Sequence, residues 1–144
     1  MGKSIQEPGD AEFDVAIVGS GAGSMVAALR AHELGLSVVV VEKAPQYGGT
    51  SATSGGCIWI PGNEGIPEDD PDKTLTYLRG VVGEDADDEA LRKYIVHAAP
   101  VAKYLERYGV SFFAVPGYPD YYSEAPGAMM ARAMLVRDMD GAEL

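Results

Sequence analysis

The apolar positions are densest in two short runs near the start of the chain. Residues 13–18 and 37–41 are each dominated by consecutive Val, Ile and Ala. A run without polar alternation predicts a strand covered on both faces in a parallel sheet. Between the runs, residues 22–34 carry a helical pattern in which Ala27, Ala28 and Ala31 form a close-packing face. Gly35 then suits a left-handed cap. Strand, helix and parallel strand predict a right-handed βαβ unit. Further on, Asp70 can cap a helix that starts at Pro71, carries Leu75, Leu78, Val81 and Val82 as its apolar stripe, and stops at Gly83. A second helix is expected from Asp87 or Asp88 to about Tyr108. Leu91, Ile95, Ala98, Ala102 and Leu105 lie on one face, Pro100 should kink it, and Gly109 closes it. Residues 110–115 read as a short strand. Residues 116–144 show no sustained period and are expected to be irregular, and residues 1–12 read as a disordered lead-in.

Composition narrows the class. The chain has 144 residues, enough for one domain with a real core, and an ordinary globular balance of 47% apolar and 23% charged residues. A net charge of −11 argues against a nucleic-acid partner, which needs clustered Lys and Arg. The acid is concentrated in residues 64–72 and 84–89, read as solvated faces and helix starts. The single cysteine, Cys57, precludes an intrachain disulfide and fits a reducing compartment. One Cys with the distant His32 and His97 builds no metal cluster. The first eleven residues lack the apolar core of a signal peptide, and no apolar run approaches bilayer length. The expectation is a soluble, cytoplasmic domain without a transmembrane segment.

The chemistry is concentrated between residues 13 and 56. Gly19-Ser20-Gly21-Ala22-Gly23 breaks the first strand. Gly19 permits the tight turn, Gly21 lets backbone N–H groups approach a pyrophosphate, and the helix N-terminus offers unpaired N–H groups to phosphate. The third glycine of the dinucleotide fingerprint is replaced by Ser24. Glu42 ends the second strand, 19 residues after Gly23. A carboxylate there can accept hydrogen bonds from ribose hydroxyls and disfavours a 2′-phosphate, hence NADP. Six residues later a second loop begins, Gly48-Gly49-Thr50-Ser51 and then Ser54-Gly55-Gly56. NAD-binding units usually pass from the acid straight into another helix. A glycine pair here lets a loop fold back over a longer ligand and points to FAD.

DVAIVGSGAGS, VVVVEKAPQYGGTSATSGGCIWIPGN and GYPDYYSEAPGA resemble the N-terminal part of the FAD-dependent oxidoreductases related to fumarate reductase flavoproteins. The 3-ketosteroid Δ1-dehydrogenases and their Δ4 relatives are the branch most resembled, from Phe13 to about Gly127. The resemblance implies an α/β fold with a Rossmann-like FAD-binding βαβ unit and following helices, incomplete relative to the family. Residues 13–144 would be the N-terminal part of the FAD-binding domain, leading toward a substrate domain.

By the same resemblance, Gly19, Ser20, Gly21, Ala22, Gly23 and Ser24 surround the FAD pyrophosphate. Glu42 holds the adenosine ribose, with Lys43 and Ala44 beside it. Gly48, Gly49, Thr50, Ser51, Ser54, Gly55 and Gly56 line the isoalloxazine side. The family removes two hydrogens from adjacent ring carbons next to a ketone, one as a proton and one as a hydride to flavin N5. Tyr121, in Asp120-Tyr121-Tyr122, resembles an active-site tyrosine of the steroid dehydrogenases. A phenol titrates ordinarily near pH ~10, so Tyr121 is expected to assist rather than act alone as base. The alternative is that Tyr121 and Tyr122 only pack. His97, His32, Cys57 and Trp59 are expected to be structural or exposed, with Cys57 a small buried filler.

The expected substrate is small, hydrophobic and steroid-like. Complete enzymes of the family are several-fold longer, so the chain is expected to be a fragment, a truncated product or one subunit completed by a second chain. The alternatives left open are a fumarate reductase-like flavoprotein with another substrate, and a non-catalytic remnant that binds FAD or a partner.

Overall fold

The computed structural model describes residues 11–137. Most of the lead-in expected at residues 1–12, and the last seven residues of the chain, lie outside the described residues. The chain falls into two compact units, one ending at Ser54 and the other beginning at Gly55.

The first unit begins with strand β1 (Val15–Val18), followed by helix α1 (Ala22–Glu33), strand β2 (Val38–Val41) and a short helix α2 (Gly49–Thr53). β1 and β2 pair in parallel, Val15 opposite Val38 through Val18 opposite Val41. Asp14 and Ser37 lock the start of the register: Ser37 N and Oγ donate to Asp14 Oδ2, and Asp14 N donates to Ser37 Oγ. α1 ends where Gly35 takes a φ of +80°, and its N–H bonds the His32 carbonyl. The packing face departs from the sequence reading in one place. Ala28 and Ala31 are half-buried with Ser24, whereas Ala27 is exposed. The strands are not covered on both faces either. Val18 is 85% exposed and Val41 is also exposed, because a two-stranded sheet with one helix cannot shield both sides.

The second unit comprises β3 (Cys57–Trp59), α3 (Pro71–Val82), α4 (Asp88–Glu106), β4 (Phe112–Ala114) and β5 (Ala133–Val136). Its sheet is antiparallel with β5 in the centre, β3 on one side and β4 on the other. Residues 116–144, expected from sequence to be irregular, therefore contain the middle strand. β5 has only four residues, too few for a period to declare itself, and its partners are remote in sequence. β3 likewise has only three residues, directly after the glycine-rich second loop.

The two long helices begin as read. Asp70 accepts from the N–H groups of Asp72 and Lys73, and Asp87 from those of Glu89 and Ala90. α4 runs without interruption through Pro100. Ile60, Ala98 and Ala102 form a core cluster with Ile58, Ala99, Phe112 and Met134 packed against it. On α3 the buried residues are Thr74, Leu75 and Tyr77, and Val81 and Val82 are exposed. The buried face is thus rotated toward the N-terminal half, where the helix meets a buried arginine. Among the described residues no helix is long and apolar enough to cross a membrane.

Candidate functional site

The first unit gathers its glycine turn, its acid and its second loop around one carboxylate. β1 delivers Ser20, which is buried, and β2 delivers Glu42 one residue past its end. Ser20 donates to Glu42 Oε2 through both N–H (3.0 Å) and Oγ (2.6 Å). Ala44 N–H donates to Oε1 at 2.9 Å. Ser20 Oγ in turn accepts from Gly48 N–H at 2.8 Å. The Ser20 hydroxyl bond, aided by the Ala44 N–H, holds the Glu42 carboxyl down at about 2. Glu42 is therefore a fixed anion at the C-terminal edge of the sheet, with acceptor capacity left on Oε1.

The helix N-terminus beside it is kept free of competing anions. Gly21 is the N-cap, extended at φ −66° and ψ 169°, with no side-chain cap and no acid in the first turn. Both α3 and α4 have an Asp cap and acids in that turn. Ser51, on α2, accepts from Ala22 N–H at 3.1 Å, which ties the second loop to the first. Gly48 and Gly49 both take positive φ, and a Cβ on Gly48 would come within 2.6 Å of the Ala52 Cβ. The glycine pair is thus required for α2 to fold back. Gly23 is different. It has ordinary helical backbone, and a Cβ built there meets nothing within 4 Å. A helix start with no acid in its first turn, an open glycine face and a fixed carboxylate suit a diphosphate and a ribose. These are the groups that the adenosine half of FAD presents.

The structure brings Gly19, Ser20, Gly21, Ala22, Gly23, Ser24, Glu42, Lys43, Ala44, Gly48, Gly49, Thr50, Ser51 and Ser54 into the first unit; Gly55 and Gly56 open the second. Cys57, expected to be buried, is exposed at the start of β3. Trp59 packs, with its ring stacked on those of Tyr77 and Tyr94.

Tyr121 lies in the second unit and is 89% exposed. Its ring meets that of Tyr122 edge to face, centroids 5.1 Å apart. The residues around it are held tightly by a network that sequence reasoning missed. The Arg132 side chain is 1% exposed, and all five of its N–H donors are used. Nε and Nη2 fork onto Asp69 at 3.0 and 2.8 Å, and Nη2 also reaches Thr74 Oγ1. Nη1 donates to Asp120 Oδ2 at 2.6 Å and to the Gly127 carbonyl. Burial pushes the Asp69 carboxyl up, but the bonds and charge of Arg132, with Gly62 N–H and Thr74, outweigh it and hold it below the ordinary value. The readable signal was an arginine inside the apolar run of residues 129–136.

The βαβ unit with its fixed terminal acid defines a dinucleotide-binding protein of the α/β class. Residues 14–141 match the family described as FAD binding domain. The chain belongs to that family, and its cofactor is FAD. It is 50% identical over 121 residues to the 3-oxosteroid 1-dehydrogenase of Mycobacterium tuberculosis strain H37Rv, an alignment covering 81% of this chain and 22% of the relative. It is 42% identical over 122 residues to the 4-oxocyclohexanecarboxylate 2-dehydrogenase of Sinomonas cyclohexanicum, with 81% and 21% covered. The crystal structure of 3-ketosteroid delta1-dehydrogenase from Sterolibacterium denitrificans, in complex with 1,4-androstadiene-3,17-dione, superimposes with a TM-score of 0.85 at 44% identity, covering 90% of this chain and 24% of that one. The chain spans about a fifth of the length of the curated relatives it matches.

Proposed function

We propose that this chain forms the adenosine- and pyrophosphate-holding part of a flavin-dependent dehydrogenase that desaturates a cyclic ketone, with a 3-ketosteroid as the substrate class. The observation that carries the reading is the Ser20–Glu42–Gly48 cluster beside the start of α1, whose first turn carries no acid. Residues 19–24 bind the pyrophosphate through backbone N–H groups and the α1 dipole. Glu42 accepts from the adenosine ribose, with Lys43 and Ala44 beside it. Gly48, Gly49, Thr50, Ser51, Ser54, Gly55 and Gly56 serve the flavin side. Bound FAD supplies the hydride acceptor at N5. Tyr121 acts on the substrate side, as a phenol that can hydrogen-bond a ring substituent or assist proton removal beside the ketone. The match across residues 14–141 supports treating both units as parts of one cofactor domain.

The names of the relatives favour a ketone carried on a ring, steroid in one and monocyclic acid in the other. A monocyclic 4-oxo acid is therefore the second reading of the substrate. The exposure of Val18 and Val41 supports completion of the β1–β2 sheet by further polypeptide, from a longer chain or a second one.

Fluorescence titration with FAD, followed by a dye-coupled assay with 4-androstene-3,17-dione and with 4-oxocyclohexanecarboxylate, tests this. The chain alone should bind FAD saturably but weakly and turn over neither compound. Absence of FAD binding at any concentration would sink the cofactor assignment. Turnover by the chain alone would overturn the need for completion.

A further inference from the structure

Tyr121 stands in a segment whose backbone is fixed on both sides, and it is the most exposed of the three tyrosines there, at 89% against 54% for both Tyr118 and Tyr122. The segment closes at its base: Ala131 N–H donates to the Tyr118 carbonyl and Asp120 N–H to the Met129 carbonyl, around a bridge between Pro119 and Met130. The Asp120 side chain is fully buried. Its Oδ1 accepts from Trp59 Nε1 at 2.6 Å, and its Oδ2 from Met129 N–H at 2.9 Å and from Arg132. On the other flank, Tyr122 N–H donates to the Tyr77 hydroxyl. The far end is seated on α3 at Gly127, where a Cβ would lie 2.2 Å from the Lys73 carbonyl oxygen. Trp59, Tyr77 and Arg132 thus hold residues 120, 122 and 127, and residue 121 projects.

The bracing is also expensive for the fold. Arg132 with Asp69 and Asp120 buries two negative charges against one positive. A buried ionic cluster of this kind is often no more stable than apolar residues of the same size, and its best-attested use is to specify one conformation. The conformation specified here is that of the Tyr121 segment.

We infer that Asp120, held by Arg132 and Trp59, is a positioning residue that fixes Tyr121 for its encounter with the ketone substrate. The inference rests on the substrate-side reading of Tyr121. Asp120 touches no substrate in this scheme and acts through its neighbour. Arg132 in turn acts through Asp120, and its guanidinium fork makes Lys an inadequate replacement.

The test uses the full chain loaded with FAD and 4-androstene-3,17-dione as the probe, measured by equilibrium dialysis. Asp120→Asn, Tyr121→Phe and the double variant form a cycle, with urea midpoints recorded for each. Asp120→Asn should weaken steroid binding by about tenfold, the scale of a lost charge-assisted hydrogen bond. The double variant should bind no more weakly than Tyr121→Phe alone, since Asp120 acts through the phenol. Backbone order parameters at residues 121–126 should fall from the rigid range of about 0.85 toward 0.6 in Asp120→Asn. Additive losses in the double variant, or unchanged order at residues 121–126, would refute positioning and leave the reading of Tyr121 intact. No effect of Tyr121→Phe on steroid binding, or a wild-type chain that binds no steroid, would overturn that reading and the inference with it.

Discussion

Ser20 and Glu42, 22 positions apart, share a hydroxyl–carboxylate hydrogen bond of 2.6 Å. The bond joins the end of β1 to the end of β2, and Gly48 N–H extends it to the start of α2. One side chain therefore couples the glycine turn, the acid at the end of β2 and the second loop.

Ser20→Ala should raise the Glu42 pKa from about 2 toward the ordinary 4.5. The folded value lies below the unfolded one. The stabilisation is thus fully present above pH 4.5 and is lost as the pH falls through about 2. A carboxyl-carbon NMR titration of Glu42 in both proteins measures this directly. The same substitution should weaken FAD binding by about tenfold, because the acid is no longer pinned.

Gly23→Ala should separate fold from ligand. Its backbone is ordinary helix, and the added methyl meets no protein atom within 4 Å. Alanine should hold or raise stability, by up to about 1 kcal/mol, because it favours helix over glycine. FAD affinity should fall, since the methyl occupies space beside the helix start. Thermal unfolding and FAD titration of the same preparation read the two opposite signs. Equal FAD affinity would remove Gly23 from the binding surface.

Gly127→Ala should destabilise the second unit. The position has a φ of +82°, and the methyl would strike α3 backbone rather than a movable side chain. Overpacking against backbone costs about 1–3 kcal/mol. Urea denaturation followed by Trp59, the sole tryptophan, reports the loss.

Arg132→Leu should be more damaging still, at about 3–5 kcal/mol, because it leaves Asp69 and Asp120 buried without their counter-charge. Lowering the pH should partly rescue this variant relative to wild type. In the wild type Asp69 lies below its ordinary value, so its contribution is present above pH 3.8 and is lost on acidification. In the variant the proton removes an uncompensated charge. Unfolding midpoints at pH 4 and pH 7 for both proteins measure the crossover.

Local signals were legible because their causes are local. Asp70, Pro71 and Gly83 bound α3 where cap chemistry puts them, and the two valine runs mark β1 and β2. The grouping of the glycine turn, the start of α1 and Glu42 was legible for the same reason, as all three lie within one βαβ unit. The second sheet was hidden. Cys57 pairs with Leu135 and Phe113 with Leu135, pairings that no window of sequence contains. Asp69 sat in a run read as solvated, yet it is drawn inside by an arginine 63 positions away. The bracing of Tyr121 was illegible on the same ground, since its parts come from β3, α3 and the start of β5.

The two-stranded pairing of β1 with β2 has a consequence for handling the protein. Among the described residues each strand has one paired and one unpaired edge, and Val18 and Val41 are exposed beside them. A bare parallel edge with β-branched side chains is a template for another strand. The chain's net charge of −11 opposes close approach of copies at low ionic strength, and salt removes that protection. Its association state should therefore rise with salt as well as with concentration, opposite to the behaviour of an assembly held by ion pairs.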